Sequence, residues 1–324
     1  MGDVTRILIT GASGFIGQAS VRAARARGLE VFAIYRSTLP PDWAADAGIT
    51  PLRIDLSDDT ARASLADALD HVDAVIHAAA HLGGDADAHD RDTVAATQML
   101  LTALSEKPRR LVHVSSIAVY DPMTLPDGDT VTEETAQDTP ETARDAYTAG
   151  KLRQEELVIA AGQPAWLMRP GAVYGPGRTF HPLLGFWVSK LFVCIDGGGE
   201  LPHTHVDHTA KALVAAACTD PGGVRALNVL DDDRPTRIRF VRTHRRIAGW
   251  PHLVLPLPYR IWLMTTRLLR PLAPRLPGLL QEPILRARLM PLQWPNTALR
   301  SALGGEDQAD FAGMLQASIS KTET

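Results

Sequence analysis

Between Arg6 and Arg36 the chain reads strand, glycine turn, helix, strand, and that order leaves few folds open. RILIT at 6–10 is a short apolar run and GASGFIG at 11–17 follows it. Gln18 to Arg27 has helical periodicity, with Val21 and Ala24 on one face and Arg22, Arg25 and Arg27 on another. Gly28 stands where a helix ends on a left-handed glycine, and EVFAIY at 30–35 is a second buried strand. Such a βαβ unit belongs to a parallel sheet covered by helices on both faces, so the expected class is α/β with a doubly wound sheet. The turn itself is a phosphate site. Gly11, Gly14 and Gly17 let the backbone approach a pyrophosphate, and the helix start presents N–H groups and a positive dipole end.

The spacing is G-x-x-G-x-x-G rather than the commoner G-x-G-x-x-G. Thr10 to Gly17 resembles the TGxxGxxG opening of the extended short-chain dehydrogenase/reductase superfamily, the NAD-dependent epimerase/dehydratase-like branch. The resemblance implies a Rossmann fold and a nicotinamide dinucleotide, with Ser13, Phe15 and Ile16 joining the glycines in holding it. The end of the second strand decides which one. Where NAD-using members carry an acid this chain has Tyr35, followed by Arg36 and Ser37. An arginine can meet a 2′-phosphate in two hydrogen bonds and a serine can add a third, so NADP(H) is favoured over NAD(H).

Downstream, PLRID at 51–55 is a third strand. The resemblance sets Asp55, with Leu56, against the adenine amino group; a strand-terminal Asp could equally cap the following helix. AVIHAAAHL at 74–82 is a fourth strand whose Ala78, Ala79 and Ala80 let backbone lie against the cofactor, with His77 and His81 as possible substrate contacts. A helix is expected from Asp92 to Ser105. Relatives place an asparagine near its start, and Thr93 stands there instead.

RRLVHVSS at 109–116 is a fifth strand, and Ser115 to Tyr120 resembles the S-S-x-x-V-Y signature, which maps the catalytic hydroxyl to Ser116 and sets Ser115 beside the cofactor. Tyr147-Thr148-Ala149-Gly150-Lys151 is Y-x-x-x-K. Positions i and i+4 share a helix face, so the Lys151 ammonium can favour the Tyr147 phenolate and hold the nicotinamide ribose. RPGAVYGPG at 169–177 follows a sixth strand and resembles the loop that lines the nicotinamide, which makes Pro170 and Val173 cofactor neighbours. Arg178, His81 and Ser116 are the candidate substrate contacts. Leu201 to Ala210 resembles a later V-D-D-V-A element, except that His208 replaces the second acid. The acidic loop 121–145, between Ser116 and Tyr147, is expected to border the substrate cleft.

These readings imply a dinucleotide-binding domain over 1–175 and a mainly substrate-binding part over 176–324, some of which returns to the main sheet. ALNVL at 226–230 is assigned to the smaller part. Two cysteines without metal-type spacing argue against a disulfide framework or a metal site, and a net charge of −4 argues against a nucleic-acid partner. With no signal peptide and no apolar run approaching ~18 residues, a cytoplasmic location is expected. Relatives suggest a homodimer through the helices at 93–105 and 147–161.

From Arg234 to Arg300 there are 13 arginines, no lysine or aspartate, and one acid, Glu282. That bias suits an anionic substrate such as a nucleotide diphosphate. Over 257–290 the arginines interleave with Leu, Ile, Trp262 and Met264, which also suits peripheral contact with an anionic membrane, a lid over an apolar alcohol, or ordinary solvated helices. The function expected is interconversion of a ketone and a secondary alcohol with NADP(H), on a nucleotide-linked sugar. The alternatives are an NAD-dependent sugar epimerase, a hydroxysteroid-dehydrogenase-like enzyme, and a cofactor-sensing binding protein.

Overall fold

The computed structural model describes residues 3–321 apart from Asp59, Gly84, Leu276 and Pro277. Its strands are β1 (Arg6–Thr10), β2 (Glu30–Tyr35), β3 (Ile49–Arg53), β4 (Ala74–His77), β5 (Arg110–Val114), β6 (Ala165–Pro170), β7 (Ala172–Tyr174), β8 (Gly185–Val188), β9 (Leu191–Asp196), β10 (His203–His205), β11 (Val224–Val229) and β12 (Leu253–Pro258). Seven of them form one sheet in the order β11-β6-β5-β4-β1-β2-β3, every neighbouring pair parallel. β4 and β5 are buried at every position, as strands covered on both faces must be. The order reverses between β1 and β4, and the carboxyl ends of those strands open a crevice there.

The helices are α1 (Phe15–Ala26), α2 (Ala61–Asp70), α3 (Ala86–His89), α4 (Ala96–Glu106), α5 (Ala146–Ala160), α6 (Val206–Cys218), α7 (Arg237–Ala248), α8 (Tyr259–Leu268), α9 (Glu282–Leu289), α10 (Thr297–Leu303) and α11 (Phe311–Ser320). On one face Val21 and Ala24 of α1 pack with Leu213 and Val214 of α6 against Ile7 and Ile9. On the other, Leu65 and Leu69 of α2, Leu100 and Leu104 of α4 and Val158 of α5 cover Leu8 and Val75. α1 ends as its sequence requires. Gly28 has φ +80° and donates to Arg25 O, Leu29 N donates to Ala24 O, and the buried Leu29 closes the motif.

Three boundaries differ from the sequence reading. β4 stops at His77 because Ala78 and Ala79 leave the ladder to lie against the glycine turn, where a Cβ on Gly11 would come within 2.8 Å of Ala79 Cα. The helix expected from Asp92 is the last stretch of a longer run: α3 passes through a π-helical turn, Asp90–Ala95, into α4. All of ALNVL but Leu230 belongs to β11, which pairs with β6 at the edge of the main sheet rather than with the smaller part.

The smaller part is built on β8, β9 and β12. β9 is flanked by β8 antiparallel and β12 parallel, and its core sets Val193, Ile195, Tyr259, Leu263, Leu285 and Leu289 together. α11 is tied back to α6 by His205 Nε2, 3.0 Å from Ser318 Oγ. His208 is buried against Asp231, Nδ1 to Oδ1 at 2.9 Å, while its Nε2 accepts from Gln308 N at 3.1 Å. The histidine that breaks the expected acidic pattern therefore pins the C-terminal segment. Among the described residues no helix is long and apolar enough to cross a membrane. Of the 257–290 segment, 276 and 277 lie outside the described residues.

Candidate active site

A cleft of about 1030 Å³ runs along the crevice and takes in residues of both parts. One end is the glycine turn. Gly11 has φ +62°, and a Cβ on Gly17 would sit 2.1 Å from Gly11 O and 2.7 Å from Ala12 Cα, so that backbone approach exists only with glycine. α1 starts at Gly14 with no capping side chain and no acid in its first turn, which leaves its positive dipole end facing the cleft. Ser13, Phe15 and Ile16 line the same wall. These features fit a dinucleotide pyrophosphate.

At the far end of β2, Tyr35 and Arg36 line the cleft. Ser37 does not: the chain bends at Arg36 and Ser37, and the serine is carried out to an exposed position. Asp55 and Leu56 line the cleft too. Asp55 Oδ1 accepts from Ser57 N at 3.0 Å and from its hydroxyl at 2.7 Å, so it shapes the turn after β3 and does not cap α2. Asp92 is a residue the sequence reading missed. The π-helical turn brings it to the cleft, where one oxygen lies 3.1 Å from Arg36 Nη1 and the other 2.8 Å from Arg91 Nε. Those two guanidinium groups hold its carboxyl below the usual range.

Ala78, Ala79 and Ala80 form the floor and His81 continues it. His77 does not reach the cleft. It is fully buried, with Nδ1 2.7 Å from the Thr10 hydroxyl and Nε2 2.9 Å from the Thr97 hydroxyl. Burial first and the Lys151 charge second pull it to about 3, so it stays neutral and structural. Thr93 does not stand in for the missing asparagine; its hydroxyl accepts from His81 N at 2.8 Å and fixes the turn after Ala80.

Beyond the alanines lie Ser116, Tyr147 and Lys151, all on the cleft wall. Ser116 follows β5 and caps a short 3-10 turn, its Oγ accepting from Ala118 N at 3.1 Å. Tyr147 is in the first turn of α5, which Asp145 caps by accepting from Thr148 N at 2.8 Å. Desolvation pushes the phenol up, and the neighbouring Ser116 side chain pulls it back. Lys151 comes one turn later. Burial pulls it down to about 8 despite Glu155, and its Nζ donates to Val114 O at 2.8 Å and to Gln154 Oε1 at 2.9 Å.

Behind the lysine the hydrogen bonds have a fixed direction. Gln154 Nε2 donates to Thr97 Oγ1 at 2.6 Å, and Thr97 donates to Thr93 O at 2.7 Å. The threonine hydrogen is thereby used, so His77 must donate from Nε2 and accept from Thr10 at Nδ1. Two of the three ammonium hydrogens are thus committed to Val114 and Gln154. Gln154, three residues after Lys151, is the second residue missed; its i+3 spacing was visible. The third is Glu155, which accepts from Ser115 Oγ at 2.5 Å and from Arg169 and thereby ties the end of β5 to α5.

Pro170 and Val173 line the cleft, and so does Arg178. The Arg178 guanidinium lies 4.7 Å over the Phe15 ring, at the glycine-turn end. The loop 121–145 borders the other end through Pro122, Leu125, Val131 and Arg144. It is pinned there: Val131 is fully buried and donates to Gln293 O at 2.9 Å. Facing it are Leu183, Leu292 and Trp294, with His181, Arg286 and Arg288. Arg144 is pulled down by burial, and Arg288 adds to that as a second cation.

The glycine turn, the serine and the tyrosine–lysine pair thus meet around one cleft on a doubly wound sheet, and residues 7–229 match the family model described as NAD dependent epimerase/dehydratase family. The chain belongs to that family. Among its relatives is the 4-hydroxy-2-methyl-3-oxo-4-farnesyl-3,4-dihydroquinoline-1-oxide ketoreductase of Stigmatella aurantiaca, 30% identical over 248 residues, covering 74% of this chain and 71% of that protein. The dTDP-4-dehydro-6-deoxy-D-allose reductase of Streptomyces bikiniensis is 28% identical over 271 residues, 76% of this chain and 82% of that one. The fold matches the solved structure of MoeE5 in complex with UDP-glucose and NAD at a TM-score of 0.70, with 23% identity and 99% of each chain covered. Distant homologues of this epimerase/dehydratase family member are therefore reductases, among them a ketoreductase and a dTDP-sugar reductase.

Proposed function

We propose that the protein is a reductase interconverting a ketone and a secondary alcohol with a nicotinamide cofactor, NADP(H) ahead of NAD(H). The observation that carries this reading is the convergence of Ser116, Tyr147 and Lys151 on one cleft wall, with the Lys151 ammonium anchored behind it to Val114 O and Gln154 Oε1. When bound, the cofactor exchanges a hydride with the substrate carbon. The substrate oxygen is held by Ser116 and Tyr147. In reduction Tyr147 gives that oxygen its proton; in oxidation it takes the proton back. Desolvation makes the Tyr147 phenol resist ionising, and the role of the Lys151 ammonium, one turn along α5, is to stabilise the phenolate left behind.

Cofactor choice rests on Arg36, with no acid at position 35 to repel a 2′-phosphate. The same pair weighs against an epimerase holding NAD permanently. A cofactor-sensing protein would need the glycine turn alone, whereas Ser116, Tyr147 and Lys151 are all kept. Arg144 and Arg288 beside the reacting end suit an anionic substrate such as a nucleotide-linked sugar. The apolar walls of Leu125, Val131, Leu292 and Trp294, together with the farnesylated substrate named for the Stigmatella relative, support a second reading, an apolar ketone. Pairing of two copies through α4 and α5 belongs to this proposal, and would cover Ile159, which is 51% exposed on α5.

Thermal unfolding with each cofactor tests it. NADP(H) should raise the midpoint more than NAD(H) at equal concentration. A larger rise with NAD(H) would reverse the cofactor choice, and no rise with either would remove the reductase reading. Stoichiometric NADPH consumption by a ketone then separates a reductase from an epimerase.

A further inference from the structure

α8 buries one side and leaves the other bare. Tyr259, Leu263 and Thr266 are buried, packing with α9 and β9 in the core of the smaller part. On the opposite side Ile261 is 53% exposed, Met264 71% and Leu268 81%, and Leu272 in the following 3-10 segment is 51% exposed. At 3.6 residues per turn, Ile261, Met264 and Leu268 fall within a sector of roughly 60°, and Arg260 and Arg267 border it. Large aliphatic side chains this exposed, gathered in one stripe, mark a surface meant to be covered.

The charge around the stripe says by what. Glu282 is the one acid from Arg234 to Arg300, and it pairs with Arg267 and Arg286. Arg260, Arg270 and Arg275 have no acidic partner among the described residues. A second copy docked by a two-fold axis would bring a second set of unpaired arginines into the same interface with no free acid of this segment to answer them, since Glu282 is already paired. The stripe also lies on the outward side of a single ten-residue helix, opposite the face buried in the core. An anionic bilayer meets both demands: the aliphatic side chains enter the acyl boundary while the arginines stay among the headgroups.

We propose that α8 and the 3-10 segment after it rest on an anionic phospholipid bilayer. The position has a consequence for substrate, which rests on the reductase reading above. α8 packs on α9, and α9 supplies Arg286, Ala287 and Arg288 to the cleft wall. The docked helix is thus the direct neighbour of the helix that walls the reacting end of the cleft, and the substrate class this favours is an amphiphilic ketone drawn from lipid.

Co-sedimentation of the full chain with vesicles of phosphatidylcholine, alone or mixed with phosphatidylglycerol, tests the docking. The expected result is binding to the mixed vesicles that weakens with salt, at least tenfold above binding to phosphatidylcholine. The double variant Met264→Glu/Leu268→Glu should lose at least tenfold of it, and Arg260→Ser/Arg270→Ser/Arg275→Ser should lose the preference for phosphatidylglycerol. All five side chains are exposed, so the variants keep the wild-type unfolding midpoint and NADP(H)-induced shift, which separates a failure of docking from a failure of the reductase reading. Absence of wild-type binding, or equal binding by the double variant, overturns the proposal. A wild-type dimer in light scattering that the double variant converts to monomer, without vesicle binding, also overturns it and assigns the stripe to a second copy.

Discussion

The Glu155 carboxylate and the Arg169 guanidinium face each other through two hydrogen bonds, Nε to Oε1 at 2.9 Å and Nη2 to Oε2 at 2.7 Å, both side chains being at most 5% exposed. Arg169 also donates to Tyr120 Oη at 2.9 Å, and Gln137 donates to Glu155 at 2.7 Å. The pair therefore joins β6, α5, the end of β5 and the loop over the cleft, which are the elements that place Ser116 and Tyr147.

Removing one partner leaves the other buried and unpaired. Glu155→Ala is expected to lower stability by about 3–5 kcal/mol in urea unfolding. Arg239, half exposed and paired with Asp233 at 2.6 Å, gives the contrast: Arg239→Ala should cost within ~1 kcal/mol. Equal losses would mean that burial does not govern these pairs.

Gly17→Ala places a Cβ 2.1 Å from a backbone oxygen that has nowhere to go. Loss of the cofactor-induced thermal shift is expected, with a lowered midpoint. Gly223→Ala, whose Cβ would meet nothing within 4 Å, is the control and should behave as wild type.

Lys151 gives a pH signature. Its native value is drawn from 10.5 to about 8, so between those values the unfolded chain holds a proton the folded chain has lost. Stability then rises with pH across that window and is flat below it, on account of this group. Unfolding free energies of wild type and Lys151→Met, compared from pH 7 to 10.5, should diverge in favour of wild type above about 8. A constant difference would contradict the buried, desolvated lysine.

Arg36 and Asp92 act in opposite senses on a 2′-phosphate. Arg36→Ala should weaken NADP(H) binding by about 10- to 150-fold, as loss of a charge-assisted hydrogen bond of ~1.5–3 kcal/mol implies, and leave NAD(H) nearly unchanged. Asp92→Asn frees Arg36 and removes a like charge, so it should tighten NADP(H). Fluorescence titration reads both; a weaker NADP(H) complex in Asp92→Asn would make the aspartate a ribose ligand instead.

Local patterns made most of the fold legible. The glycine turn, the Schellman end at Gly28, the apolar strands and Y-x-x-x-K all depend on neighbours within a few residues, and each recurs in the structure. What sequence could not supply was long-range pairing. β11 joins β6 because of a partner some 60 residues earlier, as the Leu227–Met168 register shows. Asp92 enters the cleft only because one helical turn is wound with an extra residue. His77, on a strand end, looked available for substrate until Thr10 and Thr97 closed over both its nitrogens.

The account's central claim is that Tyr147 passes the proton while the cofactor exchanges the hydride. The most direct measurement is NADPH oxidation against a panel of ketones, sugar-nucleotide and apolar, by wild type and Tyr147→Phe, with cofactor affinity measured on both. Wild type should consume one cofactor per ketone reduced, and Tyr147→Phe should bind the cofactor as tightly but turn over at least a hundredfold more slowly, roughly what loss of general acid catalysis costs. Equal turnover by the two proteins would contradict it.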